Sequence, residues 1–158
     1  MSILKPRTIL FLVGIASLGV LGFALYLQHY RDMAPCPFCV IQRYAFFGVA
    51  LFALIGAFGN STRMGGAFAL LSSLSGIGVA ARHVWIKAHP TVSCGIDPME
   101  TMLNRIITAE VFPQVFRADG LCTTPYDPIM GLQITTWSLI SFIGLTVLLI
   151  WSLIQHRD

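Results

Sequence analysis

Apolar residues along this chain fall into four long runs free of Lys, Arg, Asp and Glu: Thr8 to Tyr30 (23 residues), Tyr44 to Thr62 (19), Met64 to Ala81 (18) and Pro128 to Gln155 (28). About 20 such residues wound as a helix cross a ~30 Å hydrocarbon core, and a helix satisfies its own backbone amides there. Each run therefore predicts a transmembrane helix. The expected spans are about 8–28, 43–60, 64–86 and 132–154, with outer loops over about 29–42 and 87–131. Gly59-Asn60-Ser61-Thr62 predicts a tight inner turn between the second and third. Arg82 and His83 interrupt the third run, but a helix continuing to Ile86 still spans, with Arg82 snorkelling to the headgroups. A secretory signal peptide is the competing reading of the first run. Its apolar core would be shorter, about 7 to 15 residues, and followed by small residues, whereas this run ends in Tyr26, Gln28, His29 and Tyr30.

Composition supports the same class. With 56% hydrophobic and 11% charged residues, the chain carries more apolar surface than a water-soluble fold can bury. The expected architecture is an all-α membrane protein, a single four-transmembrane-helix bundle over residues 1–158. Lys5, Arg7, Arg63 and Arg157 cluster on the side of the termini, whereas Arg31, Lys87, Arg105 and Arg117 are spread over both outer loops. That density predicts cytoplasmic termini and places all four cysteines outside, where disulfides persist. The net charge of +3 comes with no basic run and no phosphate-binding glycine loop, so nothing points to nucleic acid.

Within the long outer loop, Asp97-Pro98-Met99-Glu100 reads as an N-cap, a proline at the first helical position and an acid in the first turn. Met99, Met102, Leu103, Ile106 and Ile107 then recur at helical spacing. A short amphipathic helix is expected there, either lying on the bilayer surface or packed against the bundle.

The cysteines carry the chemistry, and their spacing is uneven. Cys36 and Cys39 enclose two residues, whereas 27 separate Cys94 from Cys122. A zinc ribbon needs a second close pair, and a covalent haem motif needs His after its second cysteine, where Val40 stands. No strand pattern precedes the motif, as a thioredoxin-like domain would require. Two disulfide-capable pairs remain. Both being inert staples is one reading, and a bridge closing a long loop suits that role. A Cys36–Cys39 bridge closes too small a loop to restrain the unfolded chain, and a close pair at a helix start favours thiolate and redox exchange. Arg43, one turn after Cys39, would favour that thiolate or hold a carbonyl oxygen of a bound cofactor, unless it is only an interfacial anchor. His83, near the outer end of the third span, is a weaker candidate for the same pocket.

Pro35-Cys36-Pro37-Phe38-Cys39-Val40-Ile41-Gln42-Arg43, the later Cys94 and Cys122, and Pro113-Gln114-Val115-Phe116 before the last cysteine resemble the bacterial disulfide bond formation protein B family, DsbB. The likeness covers nearly the whole chain, with Gln42 standing where some members have an acid. The resemblance implies a quinone-dependent protein-disulfide oxidoreductase of the bacterial inner membrane, which reoxidises a periplasmic DsbA-like thiol oxidase and passes the electrons to ubiquinone or menaquinone. It also implies roles. Cys94 takes the mixed disulfide with the partner, Cys122 engages Cys36, and Cys39 faces the quinone beside Arg43. The other classes left open are a structural or cofactor-anchoring membrane subunit with stapling disulfides and a vitamin K epoxide reductase-like activity.

Overall fold

A computed structural model describes residues 5–89, 96–120, 124 and 126–155, the side chains of 96–98 apart. Cys94 and Cys122 lie outside the described residues. Four helices are long and apolar enough to cross a membrane: α1 (Pro6–Tyr30), α2 (Pro37–Phe58), α3 (Thr62–Ala88) and, last in the chain, α7 (Ile134–Gln155). Between α3 and α7 lie three short helices: α4 (Ile96–Asn104), α5 (Ile107–Val111) and α6 (Pro113–Phe116). The fold is the all-α, four-helix membrane bundle expected from the sequence.

Helix starts follow local chemistry. Pro6 and Pro37 occupy the first turns of α1 and α2, where a missing N–H costs nothing and the fixed φ suits a helix. α2 begins well before residue 43, the span start read from hydropathy alone, because the Cys36-Pro37 pair forms a cap. The α2–α3 connection is tight, with the Gly59 amide closing onto the Ile55 carbonyl. α4 starts at Ile96, ahead of the Asp97 cap read from the sequence.

The spans pack in a ring in which α1 and α3 flank α2, and α7 closes against both α3 and α1. Its centre is well filled. Phe142 is fully buried against Phe46, with ring centroids 3.9 Å apart, and against the backbone of Gly76. In lipid the hydrophobic effect does not hold helices together, so close backbone approach and interhelical hydrogen bonds must. Both are present. A Cβ on Gly65 would sit 2.4 Å from the Gly56 Cα, so the two glycines set the α2–α3 crossing. Buried Ser73 on α3 donates to the Phe142 carbonyl at 3.2 Å and shares a 2.8 Å hydrogen bond with Thr146 on α7. The outward faces carry large apolar residues such as Leu12, Phe23, Ile55, Leu71 and Val147, as a lipid-facing surface requires.

The outer-loop helices divide their apolar residues. Leu103 is buried in a cluster with Val40 and Ala118, and Met99 packs against it, whereas Met102, Ile106 and Ile107 are exposed. Packing against the bundle therefore applies to one edge of the expected amphipathic face. The Asn104 amide clamps the loop by donating to the Ala118 carbonyl and accepting from the Ala118 amide, both at 2.9 Å.

The glycine contacts give a direct test of the packing. Gly65→Val forces the α2–α3 crossing apart and is expected to destabilise the bundle by about 1 to 3 kcal/mol. Gly78→Ala, in the same helix with open space around it, is expected to be neutral or stabilising by up to about 1 kcal/mol. Thermal unfolding of the detergent-solubilised variants separates the two.

Candidate functional site

The site is built on the first turn of α2. Cys36 is the N-cap residue, with extended backbone (φ −80°, ψ 166°), and its sulfur accepts a hydrogen bond from the Cys39 amide at 3.4 Å. Cysteine thus takes the place usually held by Ser or Asp, and the helix N-terminus favours negative charge on its sulfur. The same turn brings the Cys36 and Cys39 sulfurs to 3.2 Å. Cys36 is buried and Cys39 partly exposed.

A cavity of about 470 Å³ opens beside the two sulfurs, within the size range of small-molecule sites. Its walls are mainly apolar, including Val20, Leu27 and Phe46, with Arg43, His83 and Thr135 among the few polar groups. Arg43 is buried and donates from Nη1 to the Val115 carbonyl of α6 at 2.7 Å. It is therefore no simple headgroup anchor: it joins the outer loop to the cavity wall. Thr135 is also buried, and its hydroxyl has no hydrogen-bond partner among the described residues.

His83 is brought fully into the site. Its Nε2 lies 3.6 Å from the Cys36 sulfur, and its Nδ1 lies 3.2 Å from Gln42 Nε2. Gln42 Oε1 in turn accepts from the Ser138 hydroxyl of α7 at 2.6 Å. Phe38 stacks on the imidazole, with centroids 5.7 Å apart. The two sulfurs and one His83 nitrogen lie within 4.8 Å of one another, a donor set that soft cations can take. A permanently bound cation would block the thiol exchange that a close cysteine pair at a helix start supports.

The loop before Cys122 is fastened to this turn. The amides of Asp119 and Gly120 both donate to the Pro35 carbonyl at 3.1 Å. A Cβ on Gly120 would lie 2.2 Å from the Ala34 carbonyl oxygen, so only glycine allows that approach. Tyr126 donates to the same Ala34 carbonyl at 3.1 Å, and Lys87 lies over its ring. Burial pushes the Tyr126 phenol above its ordinary value and the nearby Cys39 and Cys36 sulfurs add to the rise, so Tyr126 keeps its proton and remains a donor.

Of the residues read from the sequence, Cys36, Cys39, Arg43 and His83 converge here. Nothing in the sequence marks Ser138, Thr135 or Gly120 as site residues, and Gln42 stands out there only as a departure from an acid. A glutamine one position from Arg43 on an apolar helix was the available signal, since a buried amide needs partners. Ser138 and Thr135 resemble ordinary membrane-helix hydroxyls until the packing is known.

A close cysteine pair at a helix N-terminus beside an apolar cavity, in a four-span membrane bundle, defines a membrane thiol–disulfide oxidoreductase. Comparison with known proteins agrees. The model of the family described as "Disulfide bond formation protein DsbB" matches residues 6–152. Disulfide bond formation protein B of Herminiimonas arsenicoxydans is 57% identical over 156 residues, covering 98% of this chain and 99% of the relative. The proteins of the same name from Ralstonia nicotianae and Cupriavidus pinatubonensis are 43% and 45% identical over 154 residues, covering 97% of this chain and 97% and 96% of their own lengths. The chain belongs to the DsbB family. It is accordingly a multi-pass inner-membrane, quinone-dependent protein-disulfide oxidoreductase that reoxidises a DsbA-like thiol oxidase.

Proposed function

We propose that the four cysteines act as two pairs in series, with the termini cytoplasmic and the cysteines periplasmic, and that the cavity beside Cys39 takes the ring of ubiquinone or menaquinone. A thiolate of the reduced partner attacks the Cys94 sulfur of a Cys94–Cys122 disulfide, forming a mixed disulfide and releasing Cys122 as thiolate. The second partner thiolate attacks the partner's sulfur in that mixed disulfide, so the partner leaves oxidised and Cys94 is reduced. Cys122 attacks the Cys36 sulfur, and Cys39 leaves as thiolate. Cys94 then attacks the Cys122 sulfur of that Cys36–Cys122 bond, which restores the Cys94–Cys122 disulfide and leaves Cys36 and Cys39 as a reduced pair, and closure of this pair to a disulfide gives up two electrons and two protons. Quinone supplies the acceptor for these, becoming quinol.

The observation that carries this reading is the fastening of residues 119 and 120 to Pro35. Cys122 follows Gly120 by two residues in the sequence, a tether of at most about 7 Å of chain, which supports its exchange with Cys36. The fit of a quinone rests on the cavity itself. Its walls are apolar, Arg43 borders it with further N–H groups, and the unsatisfied Thr135 hydroxyl needs an acceptor such as a ring carbonyl. These two residues would hold the ring oxygens, and His83 stands on the sulfur side.

Cys39→Ser is expected to abolish quinone reduction while Cys94 and Cys122 still exchange with partner thiols. Cys122→Ser leaves no Cys94–Cys122 disulfide for the reduced partner to attack and is expected to stop partner reoxidation, with a mixed disulfide at Cys94 forming only from oxidised partner. Gly120→Ala, which displaces the fastened segment, should slow transfer from Cys122 to Cys36 by roughly ten- to hundredfold. Stopped-flow quinone absorbance and non-reducing gels read these outcomes, and full turnover by Cys39→Ser would reverse the proposed direction of flow.

Removing a charge-assisted hydrogen bond costs about 1.5 to 3 kcal/mol, roughly ten- to hundredfold in affinity. Arg43→Ala is therefore expected to raise the apparent KM for quinone by that factor, with partial recovery in Arg43→Lys. Thr135→Val should raise it by a smaller factor, about fivefold for a neutral bond of ~1 kcal/mol. Thr135→Val should leave the reaction of Cys94 with the partner unchanged, and Arg43→Ala, which also releases Val115 of α6, should change it far less than the KM for quinone. An unaltered KM in folded Arg43→Ala would remove Arg43 from the quinone site.

Sidedness is tested with a membrane-impermeant thiol reagent. Added to reduced protein from the periplasmic side, it should label Cys94 or Cys122. Labelling only after the cytoplasmic face is opened would overturn the orientation.

A further inference from the structure

Gln42 and Ser138 have no part in the exchange steps above, yet both are drawn into the cysteine turn. We infer that Gln42, held by Ser138, is a positioning residue that fixes His83 as an Nε2–H tautomer and so makes His83 a hydrogen-bond donor to the Cys36 sulfur. The deduction follows from donor and acceptor inventory. Ser138 Oγ donates to Gln42 Oε1 at 2.6 Å, which leaves the Gln42 NH₂, a donor only, facing His83 Nδ1 at 3.2 Å. Nδ1 must then be the accepting nitrogen. The single proton of a neutral imidazole lies on Nε2, 3.6 Å from the Cys36 sulfur and within hydrogen-bonding reach of sulfur.

Cys36, Gln42 and His83 are all almost fully buried, so water does not compete with these bonds. The stack with Phe38 holds the ring plane. Oriented this way, His83 is not the base that removes the Cys36 proton, because its free lone pair is already engaged by Gln42. It stabilises the sulfur after the proton has gone, together with the Cys39 amide that bonds the same sulfur. Closing the Cys36–Cys39 disulfide releases both thiol protons and two electrons, the latter to the quinone acceptor. A sulfur already held as thiolate makes that closure faster.

Among the described residues, the other ionisable groups around the pair are Cys39 and Arg43 from α2, Lys87 from α3 and Tyr126 from the outer segment. The cavity faces of α1 and α7 contribute none among the described residues. Glutamine is therefore decisive at position 42. A carboxylate there would accept a hydrogen bond from Nδ1–H, which reverses the tautomer or holds the ring in its charged form.

The inference rests on the dithiol reading above but is tested without quinone or partner. In full-length protein with Cys36 as its sole cysteine (Cys39→Ser, Cys94→Ser, Cys122→Ser), the pH dependence of Cys36 alkylation reports its thiolate fraction. Adding the near-isosteric Gln42→Met is expected to raise the alkylation midpoint by about one pH unit and lower the rate at pH 7 about tenfold. Ser138→Ala, which frees the amide to turn, should give a smaller shift in the same direction. In a His83→Ala background, Gln42→Met should change nothing further, because Gln42 acts only through His83. Nitrogen chemical shifts of ¹⁵N-labelled histidine should show Nδ1 unprotonated in wild type, with that state lost in Gln42→Met. An unchanged midpoint in folded Gln42→Met, or an equal shift in the His83→Ala background, would overturn the assignment. Failure of the two-pair scheme would show instead in Cys39→Ser turnover, leaving these alkylation profiles unaffected.

Discussion

The Cys36 sulfur caps α2, and the rest of the site depends on that one hydrogen bond to the Cys39 amide. It makes the residue before Pro37 extended and the residues after it helical, which sets the second cysteine one turn on, with its sulfur 3.2 Å from the first. The same backbone reversal turns the Pro35 carbonyl outward, where it accepts the amides of Asp119 and Gly120. One turn of helix therefore fixes the dithiol, its electrostatic setting and the docking point for the outer loop. A serine cap would keep the helix but carry no exchangeable sulfur, so the cap and the chemistry share an atom.

That turn keeps its shape because the bundle beneath it is rigid. Close packing at Gly56 and Gly65 fixes the α2–α3 crossing, and the buried Ser73 and Thr146 pair holds α3 to α7. The residues that face the dithiol, His83 on α3 and Ser138 on α7, inherit their positions from those contacts. A site assembled from three helices tolerates little sliding, since a hydrogen bond weakens within a few tenths of an ångström. This explains why polar residues inside the spans, though costly in lipid, are concentrated around the cysteines and at interhelical contacts.

The sequence made the spans legible because uncharged runs of membrane length have few other uses, and it made Cys36, Cys39 and Arg43 legible because their spacing is local to one helix. Local spacing is what the eye can follow. His83 is legible only as a weaker candidate for the pocket, since its partners Gln42 and Cys36 are more than forty positions away and meet it only by packing. Gly120 is a clearer case. Nothing in its neighbours marks it, and its need for a bare Cα comes from Ala34, a residue of the other outer loop. The start of α2 was placed late by hydropathy, which registers apolar content and is blind to a cap formed by cysteine and proline.

Arg43 shows how the loop and the cavity come to be one device. A buried guanidinium cannot leave its N–H groups unsatisfied, and Nη1 already donates to Val115 in α6, four residues before Asp119 and its bond to Pro35. The guanidinium is planar and rigid, so fixing one nitrogen on Val115 orients the others toward whatever occupies the cavity. On the proposed function, holding the loop and holding a ring oxygen are two demands on a single side chain. A displacement of α6 turns the guanidinium, and a ligand that turns the guanidinium pulls on α6. By linkage, any preference of one for a given Arg43 orientation is matched by an equal preference in the other. On the proposed function, this shared cation would join the loop segment that precedes Cys122 to the cavity beside Cys39.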